Sequence, residues 1–193
     1  LPVSDWESLR KKIAPVLTSD SLKVGHNLKF DLAILLSHGI AVKGPFFDTM
    51  LAHILVAPDQ KHTMDSLAEN LLNYSPVKLL DLFTESAEPD DDLFAAAAKK
   101  KAAKGNLDPS EIPTEKLAEY AAEDADVTIQ LFRSLKPLLE EKKLLPLWES
   151  IEAPLLPVLV AMEAEGITVD QNLLDEVGKT LAERIAKLSV EIE

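Results

Sequence analysis

The sequence has 193 residues, 47% of them hydrophobic, and it carries a formal net charge of −13. A chain of this size can build one sizeable core. Because it contains no cysteine, disulfides and thiolate metal sites are excluded, and oxygen ligands would favour Mg²⁺ or Mn²⁺ at any metal site. The negative charge argues against a protein that grips long duplex DNA through its phosphates, but it allows a site that takes a few nucleotides through bound metal.

Both ends of the sequence are typical of boundaries inside a longer protein. The chain begins at Leu1 without a methionine and stops at Glu193 within a helical pattern, so we interpret it as a fragment. We find no apolar run approaching the roughly 18–20 residues needed to cross a bilayer and no basic-then-apolar leader. The sequence therefore predicts a cytoplasmic protein without membrane contact.

Hydrophobic periodicity predicts strands that alternate with helices first, and helices alone afterwards. Ser4 and Glu7 are placed as a capping box that opens a helix through Leu17. The elements predicted next are a strand over 22–24, a helix over 27–38, a strand over 46–47 and helices over 49–56 and 64–72. Helices over 114–139, 148–165 and 170–193 follow. This order indicates an α/β unit followed by a helical unit.

The segment 85–113 differs in composition from the rest of the chain. It holds an acidic run over 88–92, an alanine run over 95–98 and lysines at 99–101 and 104. We interpret it as a solvated insertion. Contact between its lysines and a DNA strand is the alternative.

Asp124 occupies a position where an apolar residue is expected. At about 100° per residue, it lies near the centre of a helical stripe formed by Leu117, Tyr120, Ala121, Val127, Thr128, Leu131 and Leu135. A core-facing carboxylate is costly unless something compensates it. Tyr120 lies one turn earlier, so its hydroxyl can work beside that carboxylate, whereas we interpret Glu123 and Asp126 as solvated charges.

Asp31 repeats this anomaly in the helix over 27–38, where it shares a predicted face with Leu28, Ile34 and Leu35. One such residue favours a buried aspartate satisfied by backbone donors or by a basic partner. Two of them, in an acidic chain without cysteine, leave a shared divalent metal as an equally open alternative.

The residues around both aspartates resemble motifs of the family A DNA polymerases. Residues 24–31 (Val-Gly-His-Asn-Leu-Lys-Phe-Asp) are similar to the second exonuclease motif, and 120–128 (Tyr-Ala-Ala-Glu-Asp-Ala-Asp-Val-Thr) to the third. Residues 47–51 and 62–68 match the family in order and spacing, and 151–170 resemble the passage into the polymerase domain. The resemblance covers nearly the whole chain apart from 85–113.

The resemblance implies a ribonuclease H-like (DnaQ-like) α/β fold over 1–147, followed over 148–193 by the helical start of a polymerase domain. It implies hydrolysis of the 3′-terminal phosphodiester of DNA, in which four carboxylates hold two Mg²⁺ or Mn²⁺ ions. By motif match Asp31 and Asp124 are two of these ligands, and Tyr120 orients the attacking water. The residues expected beside a single-stranded 3′ end are Asn27, Phe30 and His26, with His62 and Met64 as further candidates. The other implied partner is the remainder of the polymerase chain. The resemblance also implies a bacterial protein that is associated with the nucleoid.

The first motif of the family, an Asp-x-Glu at the end of an apolar strand, is not found. Asp5-Trp6-Glu7 has the right letters, but it follows no apolar strand and is better explained by the capping box. We expect the motif upstream of Leu1, on a strand that this chain lacks. The fragment alone is then expected to bind metal poorly and to be inactive, and its uncovered sheet edge predicts self-association.

Three other interpretations stay open. The chain could be a vestigial exonuclease domain that only braces a polymerase, a stand-alone ribonuclease of the same superfamily, or a pure interaction module. Retention of Asp31, Tyr120 and Asp124 argues against the first, and the junction over 151–170 argues against the second. An interaction module would leave both core-facing aspartates without a purpose. His38 and His53 are predicted to be packing residues rather than ligands, and Trp6 and Trp148 to be core or junction anchors.

Overall fold

The computed structural model describes residues 6–79, 81–82 and 112–192. Ser4 and almost all of the insertion over 85–113 lie outside the described residues. The capping box and the contact between the insertion and DNA therefore stay predictions.

The first part of the chain builds a small parallel sheet. Helix α1 (Trp6–Leu17) precedes strand β1 (Lys23–Gly25), and helix α2 (Leu28–Ser37) leads to strand β2 (Phe46–Asp48). The strands pair in parallel with Val24 opposite Phe47, which requires a crossover connection of the kind that α2 provides. Both strands end where a helix begins, so the starts of two helices lie at the same edge of the sheet.

The other regular elements of the described chain are helices. They are α3 (Thr49–Val56), α4 (Met64–Leu67) continuing into a π-helical segment (Ala68–Leu72), α5 (Thr114–Glu141), α6 (Leu145–Leu147) continuing into a second π-helical segment (Trp148–Glu152), α7 (Ala153–Glu165) and α8 (Gln171–Ile192). The predicted α/β order is confirmed. The π-helical turns were not predicted, and the second one comes just before Pro154, which lacks the N–H that would continue regular α-helical pairing.

The main core lies between the sheet and α5. Phe47 of β2 contacts Phe132 edge-on, with ring centroids 4.7 Å apart, and Trp148 at 4.9 Å. The other buried members of this cluster are Ala52, Leu67, Ala68, Val127, Leu131, Leu135 and Leu139. Trp148 is therefore a core residue, one of the two roles that the sequence predicts for it. Helix α5 packs into this core through its C-terminal half, where its buried residues lie.

A second cluster corrects the predicted face of α2. Leu28 and Leu32 pack against Leu156 and Val160 of α7, and these leucines are the buried residues of α2. Asp31 is exposed, so the prediction that it faces the core is wrong. The partner of α2 is α7, and Leu28 and Leu32 face it, which leaves Asp31 on the flank of the buried stripe.

By packing, the chain divides into two compact units, Leu1–Val160 and Ala161–Glu193. In the second unit, Asp170 caps α8 by accepting the backbone N–H groups of Asn172 (3.0 Å) and Leu173 (3.1 Å). The predicted boundary between residues 147 and 148 separates two regions that resemble different domains of the family. It does not describe how the chain packs, and it stays a prediction.

One stretch contradicts the expectation that no apolar run approaches membrane-spanning length. Within the described residues, Leu145–Glu165 has a mean hydropathy of 1.3 and is long and apolar enough, by length and composition alone, to cross a membrane. Three prolines and scattered glutamates hide this run from simple inspection. Trp148, Leu156 and Val160 are buried within the first unit, so we interpret the stretch as helices that contact the core.

Candidate active site

Four of the predicted site residues line one cavity of about 620 Å³. His26 follows β1, Asp31 comes from α2, Met64 from α4 and Asp124 from α5. The other lining residues are not among the predicted site residues, and they are Leu22, Val24, Gly25, Ala125, Thr128 and Ile129. The fold therefore brings the second and third motifs together, although 93 residues separate Asp31 from Asp124 along the chain.

Asp124 is half-buried, and its carboxyl group is incompletely satisfied. Within the described part of the chain, its Oδ1 atom is buried without a hydrogen-bond partner. Burial raises the pKa of Asp124 above its ordinary value, a hydrogen bond from Tyr120 opposes this rise, and the charges of Glu123 and Asp65 add to it. A buried carboxylate oxygen without a donor is costly, and it is a position that a cation would compensate.

Tyr120 contacts Asp124 but is not one of the residues that line the 620 Å³ cavity. Its hydroxyl hydrogen-bonds to the Asp124 carboxyl, as the spacing of four residues predicts. Burial, followed by the charge of Asp124, raises the pKa of Tyr120 to about 12, so the hydroxyl keeps its proton at neutral pH. Tyr120 itself lines a neighbouring cavity of about 350 Å³ together with Glu119 and Glu123.

Asp31 presents its carboxyl group to the cavity from an exposed position at the start of α2. Partial burial raises the pKa of Asp31, a backbone hydrogen bond within its own residue lowers it, and the charge of Asp48 raises it again. The carboxyls of Asp31 and Asp124 thus share one cavity, and burial disfavours the charged form of both. Binding a cation would reverse this preference.

The predicted substrate-binding residues divide into those that reach the cavity and those that do not. The His26 Nδ1 atom lies 2.9 Å from Thr49 Oγ1, and that hydroxyl donates to the Gly25 carbonyl at 3.2 Å. Burial lowers the pKa of His26, against the opposing charge of Asp48. The Met64 Sδ atom accepts a hydrogen bond from Thr128 Oγ1 at 3.6 Å.

The other three candidates lie outside the cavity lining. Asn27 is exposed and adopts a left-handed backbone conformation with φ 58° and ψ 45°. Phe30 is 63% exposed. His62 pairs with buried His53 through their Nδ1 atoms at 2.8 Å. His53 is therefore a packing residue, as predicted, and its partner His62 faces another histidine.

The remaining packing predictions have mixed outcomes. The sequence predicts that His38 packs among apolar helix residues, but His38 is exposed and lies at the C-terminal cap of α2. Its ring contacts Trp6 edge-on, with centroids 5.2 Å apart, which gives Trp6 a half-buried place on the first unit.

The structure corrects the interpretation of Glu123 as a solvated charge. Its carboxylate accepts a hydrogen bond from the Tyr74 hydroxyl and another from the Val77 backbone N–H at 3.0 Å. Sequence periodicity could not reveal this, because the donors come from a segment about 46 residues earlier in the chain.

Asp48 stands out in the sequence only as part of a motif, yet it is the most buried carboxylate described, with 1% exposure. Its side chain accepts N–H groups from the first turn of α3. An aspartate directly before an apolar helix is a recognisable N-cap signal, but nothing in the sequence shows how deeply it is buried.

The cavity offers the type of ligand that an oxygen-preferring ion needs, but it offers few such ligands. Two carboxylates, one with an orphaned oxygen, are the ligands that Mg²⁺ and Mn²⁺ prefer. Among the described residues, no group of three or more acidic or histidine side chains is arranged to hold a metal ion. The arrangement therefore supplies half of the four carboxylates that the resemblance implies.

A family model described as "3′-5′ exonuclease" matches residues 5–140, which is more than half of the chain. Among curated relatives, the chain is 38% identical over 89% of its length to a DNA polymerase I of Rhizobium leguminosarum. It is 36% identical over 86% of its length to one of Chloroflexus aurantiacus. It is also 33% identical over 95% of its length to one of Pseudomonas aeruginosa.

The chain spans only a small part of each of these relatives. The matches cover 15% of the Rhizobium protein, 16% of the Chloroflexus protein and 19% of the Pseudomonas protein. The match to the Pseudomonas protein extends over almost the whole chain, whereas the family model stops at residue 140.

Proposed function

Because the chain belongs to the 3′-5′ exonuclease family of the family A DNA polymerases, we propose that it is the proofreading part of a DNA polymerase I. Its reaction is hydrolysis of the 3′-terminal phosphodiester of DNA, with a single-stranded 3′ end as substrate. One observation carries this proposal: the buried Asp124 Oδ1 atom has no hydrogen-bond partner among the described residues, and Asp124 lines a cavity that Asp31 also lines. A purely structural aspartate would have its oxygens satisfied.

The sheet supports the proposed ribonuclease H-like fold. Within the described residues, β1 and β2 form a two-stranded parallel sheet, and each has one unpaired edge. The cavity lies beside β1, since Leu22, Val24 and Gly25 are among its lining residues. A further strand next to β1 would bring its own side chains to Asp31 and Asp124, which is where the missing carboxylates are needed.

In the proposed mechanism, Asp31 and Asp124 hold divalent ions with their carboxylates. Bound Mg²⁺ or Mn²⁺ supplies activation of the attacking water and stabilisation of the leaving oxygen. The Tyr120 hydroxyl, kept protonated by its pKa of about 12, donates to Asp124 and orients the water from that side. His26 keeps its ring fixed through Thr49.

The terminal nucleotide is proposed to lie between the cavity and the exposed start of α2. His26 and Met64 line the cavity, and Phe30 is 63% exposed close to Asp31 along α2. An exposed aromatic ring offers a stacking surface for a base. Asn27 lies at the same end of α2. His62 is paired with His53, and it would contact the DNA strand only from that position.

The proposal assigns residues 1–147 to the exonuclease domain and 148–193 to the start of the polymerase domain in a cytoplasmic, nucleoid-associated protein. The remainder of the polymerase chain is the proposed partner of the exposed apolar face of α8, which includes Leu173, Leu174, Val177, Leu181, Ile185 and Leu188. When that partner is absent, the open edge of β1 and this face favour self-association. Gel filtration that gives a clean monomer would count against this part.

We propose further that the 193-residue chain is inactive by itself, since two carboxylates are half of the proposed ligand set. The test compares this chain with a longer chain that adds the upstream strand, each assayed for 3′→5′ degradation of single-stranded DNA with Mg²⁺ or Mn²⁺. Activity in the longer chain alone, abolished by Asp124→Ala, supports the proposal. A matched Asp126→Ala variant should stay active, since Asp126 bonds Gln130 on the helix surface.

A vestigial domain that braces the polymerase is the second candidate function. It is favoured by the small donor set, with no metal-binding group of three side chains among the described residues. If the longer chain is folded but does not degrade DNA, and Mn²⁺ does not raise its melting temperature, this second function replaces the first.

A further inference from the structure

Asp48 gathers four backbone N–H groups on one buried carboxylate. Its Oδ1 atom accepts from Met50 at 2.8 Å and from Leu51 at 3.3 Å, both in the first turn of α3. The same atom accepts from Asn27 at 3.1 Å, and Oδ2 accepts from Leu28 at 2.7 Å. One side chain therefore joins the start of α2 to the start of α3.

This pattern exceeds what helix capping requires. An N-cap aspartate satisfies N–H groups of its own helix, but two of the four donors to Asp48 belong to a different element. A buried carboxylate is stable only when it is well hydrogen-bonded, and the N-termini of two helices both favour negative charge at this point. The bond from Oδ2 to Leu28 contributes nothing to the cap of α3.

The contact lies where the direction of α2 is set. Gly25, the last residue of β1, pairs with Asp48 across the sheet. Asn27 then turns the chain through a left-handed conformation, and α2 begins at Leu28. Asp31 lies in the first turn of this helix, so any shift of that turn moves the Asp31 carboxyl relative to Asp124.

We propose that Asp48 is a positioning residue for the site, holding Asp31 in place opposite Asp124 through the backbone of Asn27 and Leu28. The role of Asp31 as a metal ligand rests on the proposed function above. The link between Asp48 and the start of α2 does not depend on that function, because it consists of two hydrogen bonds that the structure shows.

Asp48→Ser separates this role from capping. A serine caps α3 through its hydroxyl, but it is too short to hold α2 at the same time. Thr49→Val is the matched control: Thr49 is fully buried next to Asp48 and bonds Gly25 and His26, so its loss disturbs the same region while leaving both bonds to α2 intact. Asp48→Asn keeps the side-chain volume and the Oδ1 contacts but turns a donor toward the Leu28 N–H.

The first measurement is amide hydrogen exchange by NMR on the 193-residue chain. In Asp48→Ser, the amides of Asn27 and Leu28 should exchange at least about tenfold faster, while those of Met50 and Leu51 stay protected. In Thr49→Val, Asn27 and Leu28 should exchange as in the parent. Unchanged exchange of Asn27 and Leu28 in Asp48→Ser would overturn the proposal.

The second measurement is a readout that a merely structural role would not move. Mn²⁺ is titrated into the longer chain that adds the upstream strand, because the 193-residue chain is expected to bind metal poorly, and broadening of the Asp31 and Asp124 signals is followed. In the parent both signals should respond together. In Asp48→Ser and Asp48→Asn the apparent Kd should weaken by about 10- to 100-fold at Asp31, whereas Thr49→Val should change it little.

The outcomes distinguish this inference from the proposed function. If the longer chain does not degrade DNA but Asp48→Ser still frees the Asn27 and Leu28 amides and weakens Mn²⁺ binding, the exonuclease proposal fails and the positioning role stands. If Mn²⁺ binding is the same in all three variants, Asp48 only stabilises the fold. Failure of both Asp48→Ser and Asp48→Asn to fold would likewise assign it to stability and overturn the positioning role.

Discussion

Asp48 and Asp124 show how differently one molecule can treat a carboxylate that is wholly or partly buried. Asp48 is 1% exposed, and its two oxygens accept four backbone N–H groups. Asp124 is half-buried, and one of its oxygens has no partner among the described residues. The satisfied carboxylate joins the starts of two helices, whereas the incompletely satisfied one belongs to a residue that lines a cavity.

The difference follows from which groups each element can offer. Asp48 lies at the end of a strand, where two helices begin and free N–H groups are concentrated. Asp124 lies in the middle of α5, where every backbone N–H is already used within the helix. Its carboxylate can be satisfied only by side chains or by a ligand, and Tyr120 supplies a single donor.

Removing the satisfied carboxylate should change stability most. Asp48→Ala should lower the free energy of unfolding by about 4 kcal/mol, because it leaves four N–H groups without their acceptor, two of them from another element. Urea unfolding followed by circular dichroism measures this. The matched control is Asp170→Ala, an exposed cap, which should lose about 1 kcal/mol. Similar losses at both positions would show that Asp48 acts only as a cap.

Removing the incompletely satisfied carboxylate of Asp124 should stabilise the folded chain rather than destabilise it. In metal-free buffer at pH 7, Asp124→Asn should raise the free energy of unfolding by about 1 kcal/mol, because a neutral amide replaces a half-buried charge whose Oδ1 atom has no donor. Added Mn²⁺ should then raise the melting temperature of the parent more than that of the variant. If Asp124→Asn destabilises the metal-free chain, the oxygen has a partner after all.

The stability difference between the parent and Asp124→Asn should depend on pH in a defined direction. Burial raises the pKa of Asp124 above 3.8, so the folded state binds the proton more tightly than the unfolded state. The unfavourable contribution is absent below the ordinary pKa and grows as pH rises through the raised one. Unfolding measured from about pH 3.5 to 7 should therefore show the parent and Asp124→Asn converging at the acidic end. A constant gap across this range would contradict it.

A weaker effect is expected at the tyrosine beside Asp124. The chain has two tyrosines, Tyr74 and Tyr120, and titration of Tyr74→Phe by absorbance isolates Tyr120. Its pKa should lie at about 12, and adding Asp124→Asn should lower it toward 10.0, since the neighbouring charge is gone. Because the folded pKa is raised, stability should fall as pH rises from about 10 toward 12. An unaltered pKa in the double variant would mean that burial alone sets it.

Local sequence patterns were enough to predict the elements and the family. Periodicities of two and of 3.6 residues depend on neighbouring positions in the chain, so they predict the order of strands and helices and the apolar stripe around Asp124. The spacing of Tyr120 and Asp124 within one helix fixed their contact for the same reason. Ordered motifs then indicated the family, and the relatives confirmed it.

Which carboxylates are buried and which are satisfied depends on how distant elements pack. Asp31 proved to be exposed because α2 packs on α7 through Leu28 and Leu32, and no local pattern specifies that partner. Glu123 and Asp48 gained donors from residues at least 20 positions away in the chain. Hydrogen-bond partners of this kind are set by tertiary packing, which is why a sequence pattern can find a carboxylate but cannot tell what surrounds it.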